Sequence, residues 1–138
     1  MVLYDYLDSG NGYKVRLLLA QLGLSYRYHE VDIMKGESRT PQFLTKSPDG
    51  RIPLLETAEG QFLAESDAIL WYLAEGSAFI PEGRLARGQV LQWMFFEQYS
   101  HEPYVATRRD TSSATCPPTA PGAANCRSAW RAGAMRSK

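Results

Sequence analysis

Apolar residues follow a strand-like or helix-like period over the first hundred or so positions, and each change of period marks the edge of an element. Val2, Leu3, Tyr4 and Tyr6 form a short β-branched and aromatic run that predicts a buried strand, ended by Asp8-Ser9-Gly10-Asn11-Gly12. Val15, Leu18, Leu19 and Leu22 then fall at i, i+3, i+4 and i+7, which predicts a helix with Gly23 as its stop signal. A second strand is predicted over residues 26–33. Residues 35–47 are polar, expected to be irregular around a short helix at 41–45. Ile52-Pro53-Leu54-Leu55-Glu56 reads as a strand opened by proline, Ala58-Glu59-Gly60-Gln61 as a hairpin turn, and Phe62-Leu63-Ala64 as the strand that pairs back. Ser66 is predicted to cap a helix that carries Ile69, Tyr72 and Leu73 at helical spacing.

The order is βαβαββα. A helical crossover between the first two strands requires them to be parallel, and the tight turn at Gly60 makes the last pair antiparallel. The fold class is therefore α/β, with the thioredoxin-like arrangement. A further helix is predicted from about Arg84 to Tyr99, with Val90, Leu91, Trp93, Met94, Phe95 and Phe96 spread over a wider surface than one buried face needs. Such a helix expects partners on two sides.

The periodic pattern stops after Arg109. Residues 110–138 contain seven Ala and three Pro, with Trp130 and Met135 as the large apolar groups, so this segment is expected to be disordered. Residues 1–109 carry 11 basic and 14 acidic groups, whereas the segment after them carries four and one, a reversal of sign that sets it apart. Three regions are expected: a thioredoxin-like domain over 1–80, a linker and first helix of a helical domain over 81–109, and the Ala/Pro-rich tail.

Composition narrows the function classes. Lys plus Arg and Asp plus Glu number 15 each, which leaves no basic field for nucleic acid and no polybasic patch for a membrane surface. The chain opens on Met-Val-Leu-Tyr without a basic stretch and an apolar run behind it, so no export signal and a cytoplasmic location are expected. His29 and His101 lie far apart, and Cys116 and Cys126 have no nearby His, so no metal site is expected.

Three segments carry candidate chemistry. Ser9-Gly10-Asn11-Gly12 sits where the first strand turns into the first helix, and unpaired N–H groups with the helix dipole favour an anion there. A hydroxyl donor contributes roughly 1.5–3 kcal/mol to a charged partner, comparable with the roughly 2.7 kcal/mol that lowers a thiol pKa by two units. From these residues alone the favoured reading is that Ser9 caps the helix and Asn11-Gly12 makes the turn. Arg51-Ile52-Pro53 suggests a cis proline that presents the Ile52 backbone to a peptide-like ligand, or else a trans proline starting an edge strand. Glu65-Ser66-Asp67 reads as an anion site at a second helix start, with Glu65 for an ammonium group, or as another cap. An extended tripeptide with a zwitterionic end, a central thiol and a terminal carboxylate needs all three in one cleft.

The segments LYDYLDSGNGYKVRLLLAQLGLSYRYHEVDI, SPDGRIPLLE and ESDAILWYLAE resemble the N-terminal domain of bacterial cytosolic glutathione transferases over residues 1 to about 109. The resemblance implies that Ser9 donates a hydrogen bond to the glutathione sulfur, with Asn11 contributing as in some bacterial members. It assigns backbone pairing to Ile52, the cis bond to Pro53 and the γ-glutamyl group to Glu65 and Ser66. Arg51 is implied for the glycyl carboxylate and Gln42 as a further contact. Tyr4 and Tyr6, which could mimic the tyrosine of other classes, are expected to pack within the first strand.

The implied activity is conjugation of glutathione to a small electrophile, with glutathione as substrate, no further cofactor and a homodimeric assembly. Glutathione-dependent reduction of a disulfide substrate and a non-catalytic interaction module are the alternatives. Family members continue into more helices, whereas the change at Asp110 is what a shifted reading frame or a gene fragment produces. On that reading the activity is in doubt, and Val90, Trp93, Met94 and Phe96 are expected to lose packing partners.

Overall fold

The computed structural model describes residues 1–104. The expectations for residues 105–138, including the tail, the change at Asp110 and the two cysteines, lie outside the described residues. Two compact units divide the chain, Met1–Met94 and Phe95–Lys138.

Four strands form one sheet: β1 (Val2–Asp5), β2 (Arg27–Glu30), β3 (Leu54–Glu56) and β4 (Phe62–Ala64), in the order β2-β1-β3-β4. β1 runs parallel to β2 and antiparallel to β3, and β3 runs antiparallel to β4. The helices are α1 (Gly10–Gln21), α2 (Pro41–Leu44), α3 (Ser66–Ala74) and α4 (Arg84–Phe96). This is the thioredoxin-like order that the periodicity predicts. The second strand stops at Glu30 because Asp32 accepts from the N–H groups of Met34 and Lys35 and starts a 3-10 turn over Ile33–Lys35. Tyr6 lies just beyond β1, so of the two tyrosines only Tyr4 is a strand residue.

β1 is an unbroken apolar-looking run because both of its faces are covered. Val2 and Tyr4 pack with Val31, Phe43 and Leu54 on one face, and Leu3 packs with Val15, Leu19, Leu55 and Ile69 on the other. Of the helical spacing read from α1, Val15 and Leu19 thus meet the sheet, while Leu18 and Leu22 turn to a separate cluster. Full burial of a Leu or Ile contributes about 1.5–3 kcal/mol, so Leu3, Leu19, Leu54, Leu55 and Ile69, all 0% exposed, anchor the sandwich. A third cluster of Leu18, Ala74 and Ile80 joins α1 to the end of α3. Gly23 N–H to Ala20 C=O and Leu24 N–H to Leu19 C=O close α1 in a Schellman arrangement.

The wide apolar surface of α4 divides within the helix. Val90 and Met94 are half-buried and line a cavity of about 330 Å³ with Leu17, Leu18, Leu70 and Trp71. Leu85 and Trp93 are exposed. In the second unit Phe95, Phe96 and Tyr99 are exposed, and the helix passes into a π-helical turn over Glu97–His101.

Candidate functional site

The register of the sheet brings the three predicted segments to one end of it. Tyr4 is opposite His29 on β2 and Leu54 on β3, and Leu54 is opposite Ala64 on β4. Beyond this row lie, in turn, the β1–α1 turn with Ser9, the Ile52-Pro53 step that leads into β3, and Glu65-Ser66 that leave β4. Antiparallel pairing of β3 with both neighbours puts its start beside the ends of β1 and β4. α1 and α3 therefore begin at the same end, and the Lys14 ammonium reaches the Asp67 carboxylate across them at 3.4 Å.

Ser9 occupies the cap position of α1, with φ −70° and ψ 123°, and its Oγ accepts from the Gly12 N–H at 3.1 Å. The two readings of Ser9 are compatible. A hydroxyl has two acceptor lone pairs and one proton, so the cap bond uses a lone pair and leaves O–H free to donate. Asn11 lies one residue into the first turn and is half-buried.

The Ile52–Pro53 peptide bond is cis. Ile52 is half-buried against the Val2–Tyr4 face, while Arg51 is exposed. The loop before them is tied down by Arg39, whose Nη1 donates to the Asp49 carbonyl at 2.8 Å, and by the Ser47 hydroxyl donating to the Arg51 carbonyl at 3.5 Å. Gln42 is exposed on α2 and no strand pairing links it to the row.

Contrary to the expectation from sequence, Ser66 does not cap α3; it is the first helical residue, 3% exposed, and Glu65 holds the cap position without a side-chain cap bond. Glu65 has φ 67° and ψ 117°, the one positive φ among described non-glycine residues. A carboxylate side chain in that conformation costs of order 1–3 kcal/mol, and such strain concentrates at ligand clamps. The turn exposes the Glu65 side chain while its carbonyl still accepts from the Ile69 N–H at 2.9 Å.

Two residues of this end, Asp5 and Arg16, were not singled out from the sequence, and Gly12 was read there only as part of the turn. Asp5, at the end of β1, is 0% exposed, and its carboxyl is raised from 3.8 to about 6, chiefly by burial, against the opposing pull of the Tyr6 N–H and the Arg16 guanidinium. Arg16 pairs with the Asp5 carboxylate and donates to the Leu7 carbonyl at 2.7 Å, so it holds the turn that delivers Ser9. Gly12 is required by close approach, since a Cβ there would stand 1.7 Å from Asp5 Oδ1. The signal was an acid inside an apolar strand followed by an arginine on the next helix.

Tyr4 packs, as expected, against Phe43 and His29, and its hydroxyl donates to Glu56 at 2.6 Å and accepts from Lys46 Nζ at 2.6 Å. The 330 Å³ cavity includes none of Ser9, Ile52, Pro53, Glu65 or Ser66. Among the described residues no group of three or more His, Cys, Asp or Glu could hold a metal ion, and no helix is long and apolar enough to cross a membrane.

Residues 1–75 match the family described as glutathione S-transferase, N-terminal domain. A possible glutathione S-transferase of Rhodopseudomonas palustris, known as a crystal structure, superposes with a TM-score of 0.74 at 58% identity over 77% of this chain and 48% of that one. The maleylacetoacetate isomerase of Pseudomonas aeruginosa is 43% identical over 77 residues, 54% of this chain and 36% of the relative. The disulfide-bond oxidoreductase YfcG of Escherichia coli is 36% identical over 104 residues, 70% of this chain and 48% of the relative. The chain thus spans about half or less of the length of these proteins.

Proposed function

Given that the chain belongs to the glutathione S-transferase family, we propose that the sheet end beyond the row His29–Tyr4–Leu54–Ala64 binds glutathione and activates its thiol. The observation that carries this reading is the convergence of Ser9, Ile52-Pro53 and Glu65-Ser66 on that end through the strand register. Ile52 supports it further: its N–H and C=O make no hydrogen bond among the described residues, which suits pairing with an extended peptide-like ligand.

In this mechanism the γ-glutamyl end lies at Glu65 and Ser66, where Glu65 faces the ammonium group and the start of α3 faces the carboxylate. The cysteinyl backbone pairs with Ile52 beside Pro53, and Arg51 meets the glycyl carboxylate, with Gln42 as an outer contact. The thiol then sits over the start of α1. Ser9 O–H donates to the sulfur, Asn11 assists, and the thiolate attacks an electrophilic carbon as the leaving group departs. Residues 1–80 act as the glutathione-binding domain, the protein works in the cytoplasm, and it assembles as a homodimer.

Reduction of a small disulfide by the same thiolate is the second reading, favoured by Asn11 and by the similarity to the disulfide-bond oxidoreductase. Comparison of wild type with Ser9→Ala on chlorodinitrobenzene and on hydroxyethyl disulfide tests both. Loss of a hydrogen bond to a charged sulfur lowers the preferred reaction roughly tenfold to a hundredfold. Equal rates in the two proteins remove Ser9 from the mechanism.

A further inference from the structure

Asp5 is a charged group that the proposed mechanism leaves unused. Its carboxyl carbon and both oxygens lie under the first turn of α1, where each would clash with a Cβ on Gly12, and Oδ1 has no hydrogen-bond partner. The Gly12 N–H is in turn the group that donates to Ser9 Oγ. One glycine therefore separates a fully buried carboxylate from the serine that faces the thiol. The groups around Asp5 are Arg16 from α1, paired with Oδ2, and Glu30 and Tyr28 from β2, with the Tyr28 hydroxyl shared between Glu30 and the Asp5 carbonyl. On the α3 side Asp67 is paired with Lys14.

We propose that Asp5 is a positioning residue which sets the ionisation of the glutathione thiol: its negative charge, laid beneath the start of α1, competes with the thiolate above it for the same positive helix end. The inference rests on the glutathione-binding reading given above. Arg16 offsets part of the charge through Nη1, while its Nη2 is held by the Leu7 carbonyl. Burial already pushes the Asp5 carboxyl up to about 6, which places its charge change just below neutrality, where a thiol activated by a helix end also ionises. Each ionisation then opposes the other, and the coupling is reciprocal.

The test is ultraviolet thiolate titration of glutathione bound to the full chain, in wild type and Asp5→Asn, with circular dichroism as the check on folding. Removal of the charge is expected to lower the bound thiol pKa by about one unit, the scale of a partly offset charge at short range. An unchanged titration in a folded, glutathione-binding Asp5→Asn overturns the inference and leaves the binding reading standing. Absence of binding to wild type overturns both. If Asp5→Asn does not fold, carboxyl NMR on wild type decides: the Asp5 pKa is expected to be higher with glutathione than with S-methylglutathione, which has no thiol to ionise. Equal values overturn the inference.

Discussion

Asp5 also carries a stability consequence at the residue scale. Its folded-state pKa of about 6 lies above the ordinary 3.8, so the folded chain holds this proton more tightly than the unfolded chain does. Stability from this group is therefore present at low pH and is lost as pH rises between about 4 and 6. Asn cannot ionise, so the stability of Asp5→Asn relative to wild type should increase through that window, by on the order of 2 kcal/mol. Parallel thermal melts from acid to neutral pH check this. A constant difference across the range would show that Arg16 fully compensates the buried charge. The same carboxylate explains Gly12, where any side chain would occupy the space of Asp5.

At the element scale the loop between α2 and β3 is as constrained as the helix starts. Gly50 has φ 58°, and a Cβ there would lie 2.8 Å from the Ser38 carbonyl oxygen and 2.9 Å from Arg39 Nη1. Gly50→Ala should therefore destabilise by about 1–3 kcal/mol and release the Arg39 bond to Asp49. Gly88→Ala, in α4 with nothing within 4 Å, should instead stabilise by about 0.5–1 kcal/mol. Denaturant midpoints that move the same way for both would contradict the packing argument. These elements also mark what the sequence made legible. Val15, Leu18 and Leu19 gave α1, because periodicity reports burial directly, and the hairpin strand over Phe62–Ala64 has the predicted bounds. The Asp5–Gly12–Arg16 contact was hidden because it joins a strand to a helix face through a space that only a glycine leaves. The positive φ of Glu65 was hidden because its residue type argues against that conformation, and it moved the cap of α3 from Ser66 to Glu65.

For the molecule as a whole, the pairing order of the sheet turns three weak motifs into one candidate site. Each of Ser9, Ile52-Pro53 and Glu65-Ser66 has an ordinary local reading, and strand register alone gathers them at one end. Gln42 was predicted with them and is not gathered by any strand pairing. The cavity lined by Val90 and Met94 includes none of those residues, although Lys14, which pairs with Asp67 at the start of α3, is among its walls. This end of the sheet should suffice on its own to hold glutathione, which calorimetric titration of the 138-residue chain with glutathione measures. Saturable heat that weakens in Ser66→Ala and Glu65→Ala is the predicted result. No heat at millimolar glutathione from a folded chain would contradict it and leave a non-catalytic module.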